Sequence, residues 1–152
     1  VLIASRISAT PQLEQHACNL AGRLPVLHLT TAAGAITYSV GKAPSGIWRG
    51  QVLMRCGPAF SLEGQPSYGA AAQNRVIIDG IATAPQPWQG CDILLRNTSG
   101  TFIDLAGSSV QGVSACLETN THSIGIRIRQ EQKTPERKPQ LIESSATINR
   151  PA

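Results

Sequence analysis

Ile124, Ile126 and Ile128 alternate with Gly125, Arg127 and Arg129 along SIGIRIR, the clearest period-two pattern in the chain. Alternation of this kind predicts a strand with one buried and one solvated face. Leu24 to Thr31 (LPVLHLTT) alternates in the same way, with Val26, His28 and Thr30 on one face and Leu27 and Leu29 on the other. Ala32-Ala33-Gly34 reads as a turn and Ala35 to Val40 (AITYSV) as the returning strand of a hairpin. Gly41 to Gly46 is a second turn, Trp48 to Cys56 a third strand, and 57–73, rich in Gly, Pro, Ser and Gln, a loop. Short strands are expected at 75–81 (RVIIDGI), 91–95, 114–118 and 122–129, with a last candidate at 141–148. A Pro-rich loop at 82–90, a turn at 97–100 and a charged segment at 130–140 separate them.

The N-terminal pattern has a different period. Residues 10–22 read as a helix, with Thr10 as cap, Pro11 in the first turn and Gly22 at the end. Leu13, Ala17, Leu20 and Ala21 fall on one face at a spacing of about 3.6 residues. Residues 1–9 can extend this helix upstream, Pro11 then acting as a kink or restart. A leading helix over 1–22 followed by antiparallel strands over 23–152 predicts a single α+β domain.

Composition shifts this picture towards export. Charged residues make up 14% and aromatics 4%, while Gly, Pro, Ser, Thr, Ala and Asn are abundant, a mixture common in secreted, turn-rich β proteins. Cys18, Cys56, Cys91 and Cys116 are widely spaced, without the short C-x2-4-C pairs of a zinc site, and read as two disulfides of an oxidising compartment. Four cysteines allow three connectivities, of which Cys18–Cys56 with Cys91–Cys116 closes the shortest, non-overlapping loops. Each bond would stabilise by about 3–4 kcal/mol in the chain-entropy picture. No signal peptide is recognisable, and no stretch nears the roughly eighteen apolar residues of a membrane span. The expectation is therefore a trimmed chain, with its export signal upstream of Val1.

Candidate chemistry is sparse. Arg55-Cys56-Gly57-Pro58 resembles half of a redox site, but Ala59 stands where a resolving thiol would be, which favours a structural disulfide. His16, His28 and His122 have no second histidine close in sequence, and no nucleophile elbow, metal-binding helix motif or phosphate-cradling loop is present. An enzyme is not expected, and no cofactor is implied. The net charge is +4, and Arg127, Arg129, Lys133, Arg137 and Lys138 cluster late in the chain. That cluster is either a solvated strand face with an ionic loop or a patch for DNA or anionic sugars. Trp48 and Trp88 are flanked by turn residues, as packing or binding aromatics, and Asn97-Thr98-Ser99 is a formal glycosylation sequon.

The order AITYSVG, IWRGQVLMRCGPAF, QNRVIIDGIA, SIGIRIRQ and QLIESSATINRP resembles minor pilins of the PilW class. Related families are the J-type pseudopilins of type II secretion and the ComGF-like competence pilins. The wording VLMRCGPAF with NRV looks most like cyanobacterial prepilin-like proteins. The resemblance spans about residues 35–81 and 122–151 and lacks the prepilin leader, its methylation motif and the apolar first half of the helix. It implies a pilin-like fold, with the helix packed on the sheet through Leu13, Ala17, Leu20 and Ala21. It also implies a non-catalytic minor subunit at a pilus tip on the cell surface, held in the inner membrane before assembly. Partners would be other minor and major pilins, with DNA or surface polysaccharide as outer ligands.

Overall fold

A computed structural model describes residues 18–63, 65, 67, 69, 71–83, 91, 100–106 and 110–131, together with the backbone of 4–8, 132 and 140–148. Nine strands form one sheet: β1 (Ala4–Ser8), β2 (Leu24–Thr31), β3 (Gly34–Lys42), β4 (Gln51–Pro58), β5 (Ala72–Ile81), β6 (Phe102–Asp104), β7 (Val113–Glu118), β8 (Ile124–Gln132) and β9 (Gln140–Ile148). Every pairing is antiparallel.

Among the described residues there is no helix, so the fold is all-β and the expected α+β arrangement of a helix packed on a sheet is corrected. Residues 4–8, read as a helical extension, pair with β2 instead, Ile7 opposite Leu29 and Ser8 opposite His28. At the other end of the expected helix, the Asn19 Oδ1 accepts the Ala21 N–H at 2.9 Å and the Arg23 N–H donates to the Leu20 carbonyl at 3.0 Å. An asparagine that binds nearby backbone donors competes with helix and favours a turn. Leu20 and Ala21 accordingly lie in a turn, and Ala21 is exposed, not packed on a sheet. Leu13 and Ala17 lie outside the described residues, as do His16, Trp88, all but Cys91 of the strand expected at 91–95, and the sequon.

Strands β2 to β5 run as a meander whose register sorts side chains into two rows. Leu27, Tyr38, Arg55 and Arg75 follow one another across the four strands, and His28, Thr37, Cys56 and Asn74 form the adjacent row on the opposite face. Bulges between Gln51 and Met54 reset the β4–β5 register. The Arg23 side chain clasps the meander, Nε donating to Ser39 Oγ at 2.9 Å and Nη2 to the Ser39 and Val52 carbonyls at 3.1 and 3.0 Å. Burial lowers the Arg23 pKa.

β8 joins this meander to the rest. One of its edges carries β9 along its whole length; the other carries β7 beside Ile124–Ile128 and then Ile81 of β5 beside Gln130. The Arg129 N–H donates to the Gly112 carbonyl at 2.8 Å, and the Arg129 carbonyl accepts the Ala82 N–H at 2.9 Å. The end of β5 and the start of β7 therefore abut, although β6 comes between them in sequence. The curled sheet encloses one apolar core in which Leu27, Val40 and Leu53 meet Val113, Ala115 and Ile124. Full burial of aliphatic side chains such as Val40 (1% exposed) and Val113 (1%) is worth about 1.5–3 kcal/mol each.

Candidate functional site

The two cysteine pairs are structural. Cys18 bonds Cys56, fixing the turn before β2 to the second row of the meander, and Cys91 bonds Cys116 of β7. Cys56 is 2% exposed and oxidised, so the Arg55-Cys56-Gly57-Pro58 stretch is a strand end. His28 is buried in the same row, its Nδ1 2.8 Å from Thr37 Oγ1, as a core histidine with a hydroxyl partner. His122 adopts a left-handed conformation, φ 55°, in the β7–β8 turn. Among the described residues, no group of three His, Cys, Asp or Glu is placed to hold a metal ion.

Of the late basic cluster, two residues lie among those described. Arg127 and Arg129 sit half-buried on β8, an interior strand, opposite Ser145 and Glu143 of β9, and both side chains are engaged. Lys133, Arg137 and Lys138 lie outside the described residues.

Two other features present groups to a ligand or partner. The first is the loop between β3 and β4. Ile47 is 80% and Trp48 37% exposed at its tip. Its base is fixed to β5: the Gly80 N–H donates to the Arg49 carbonyl at 2.8 Å, and Asp79 accepts the Arg49 N–H at 3.2 Å. The Arg49 guanidinium completes an ion pair with Asp79 at 3.4 Å. The Arg49 backbone N–H, and then its guanidinium, hold the Asp79 carboxyl below the ordinary range.

The second is the Arg55 guanidinium. It is 7% exposed, donates from Nη2 to the Pro58 carbonyl at 3.0 Å and lies 4.4 Å from the centroid of the half-exposed Phe60 ring. Its Nε is buried without a hydrogen-bond partner. Beyond these, Glu118 is buried and accepts the backbone N–H groups of Asn120 and Thr121 and the Thr121 hydroxyl. The Thr121 hydroxyl and amide hold its pKa low.

Reading along the chain does not reveal the Arg49–Asp79 pair or the opposition of Arg55 to Arg75, because each depends on long-range register, nor the local Arg55–Phe60 contact, which depends on how the chain turns after β4. Glu118 leaves a local trace, a carboxylate immediately before the Thr119-Asn120-Thr121 turn. Compared with known proteins, the chain matches no family model, no curated protein and no solved structure.

Proposed function

We propose that the chain acts by docking, as the disulfide-braced β head of a minor subunit in a type IV pilus-like filament. In that role it contributes to assembly near the tip and to surface adhesion, with other pilins as partners and DNA or polysaccharide as outer ligands. The observation that carries this reading is the convergence of two of the resembling stretches. IWRGQV supplies the exposed Ile47 and Trp48, and VIIDGI supplies the Asp79 and Gly80 that fix their loop. A fixed loop presents an aromatic and an aliphatic anchor at little ordering cost, which suits a docking contact. Two disulfides support an oxidising, exported setting.

Deleting the gene should lower the number of surface filaments, and Trp48→Ala should do so while leaving the thermal transition in place. Unchanged filament number in the deletion strain would sink the reading. One observation favours a second reading, a stand-alone secreted binding module: residues 4–8 enter the sheet as a strand where the pilin likeness implies a helix. Its signature is normal filaments with lost ligand binding in the same strain.

A further inference from the structure

Arg55 and Arg75 are direct cross-strand partners on β4 and β5. Side chains so paired share a face, with Cβ atoms about 4.5–5.5 Å apart, and like charges there repel. Gln73 Oε1 accepts two bonds from Arg75, at 3.1 and 2.9 Å, but a neutral amide does not offset the charge. Among the described residues the one ion pair is Arg49–Asp79, so no described carboxylate balances either guanidinium. Arg55 is meanwhile drawn into the protein. Gly57 leaves it room, since a Cβ there would lie 3.3 Å from its Nη2, and Phe60 covers it. A guanidinium that is 7% exposed with an unpartnered Nε is a costly arrangement in a free protein.

Both costs are relieved by a single guest. We propose that Arg55 and Arg75 form an oxyanion-binding site that takes a carboxylate or phosphate group of a ligand. Guanidinium forks match the planar, multidentate geometry of these groups. Arg55 is the buried anchor and supplies its unused Nε–H. Arg75, exposed at the rim, is the second clamp, and the half-exposed Phe60 ring borders the ligand's body. The inference stands on register and burial alone and is independent of any role in a filament.

The test uses the intact chain with two probes, digalacturonate for a saccharide carboxylate and inorganic phosphate for a free phosphate, followed by calorimetry and NMR. Saturable binding is expected for at least one, with a shift of the Arg55 Nε–H resonance and weakening by added salt. Binding of digalacturonate but not its methyl ester identifies the carboxylate as the source, and binding of phosphate alone identifies the other. Arg75→Gln should weaken binding about tenfold without lowering the melting temperature, since it also removes the like-charge repulsion. Arg55→Lys, which keeps charge but loses the fork, should weaken it further. Because Arg75 is exposed, its variant decides the matter even where an Arg55 variant fails to fold. Failure of both probes to bind saturably, or affinity untouched by Arg75→Gln, overturns the proposal.

Discussion

Replacing Gly112 by alanine tests whether β5 and β7 truly abut. Gly112 has φ 74°, and a Cβ placed on it would fall on the Ala82 carbonyl oxygen and 2.5 Å from Ile81 Cγ2. Two costs arise. An L-residue in the left-handed region is strained by about 1–2 kcal/mol. Overpacking against neighbours that cannot recede adds about 1–3 kcal/mol, and here the first neighbour is the carbonyl of Ala82, a residue held in place by its own N–H bond to the Arg129 carbonyl. Gly22 provides the control, with φ 71° but nothing within 4 Å of the added Cβ. Gly22→Ala should therefore lose about 1 kcal/mol and Gly112→Ala about 2–5 kcal/mol, read as urea midpoints at constant m-value. In thermal unfolding the second should lower the transition by about 4–20 °C. Equal losses in the two variants would refute the close approach, because only the shared φ strain would then be acting.

Three other outcomes follow from features already described. Replacing Cys18 and Cys56 by serine opens a link of sequence separation 38 and should cost about 4 kcal/mol, against about 3.5 for Cys91 and Cys116 at separation 25; urea unfolding of each double variant ranks them. Hydrogen bonds from Thr121 and Asn120 depress the folded pKa of Glu118, so its contribution is full above the unfolded value of about 4.3 and is lost as pH falls through the folded one. Melting temperature between about pH 5 and pH 3 should thus fall more steeply in the native chain than in Glu118→Gln, and parallel curves would remove Glu118 from the acid response. Asp79→Asn breaks an ion pair whose arginine is 68% exposed, and should cost less than about 1 kcal/mol because the Gly80–Arg49 backbone bond remains. A loss above about 2 kcal/mol would transfer the anchoring of the Trp48 loop to the carboxylate.

Much of the sheet is legible along the chain because its strands bury one face. The β2–β3 hairpin, β4, β7, β8 and β9 fall where alternation and turn residues place them, within a few residues at their ends. The N-terminal region misleads for a physical reason. The extension of the helix over 1–9 fails because β1 is specified by the open edge of β2, against which Ala4–Ser8 pairs by backbone bonds. A contact offered by a distant strand overrides local propensity. β6, three residues long, carries too little pattern to be read. The candidate sites were harder still. Arg55 and Arg75 are unremarkable basic residues until the bulges near Leu53 set them opposite each other, and a one-residue slip would turn them to opposite faces. Arg127 and Arg129 do fall where alternation places them, on the face of β8 opposite Ile124, Ile126 and Ile128 of the core.

The meeting of β5 and β7 along β8 also bears on how the molecule opens. Most strands here pair with sequence neighbours, so the β2–β5 meander and the β7–β9 meander each form from short-range contacts. Between them lie the Ile81–Gln130 pairing, the Ala82 N–H bond to the Arg129 carbonyl at 2.9 Å and the Gln130 Nε2 bond to the Asp79 carbonyl at 3.0 Å. Such a seam closes late, because its loop entropy precedes its reward. It is also the line along which two cooperative units would part first, so the Ala82 amide, bonded across it, should exchange with solvent before the Arg129 amide, whose Gly112 partner lies inside the β7–β9 unit.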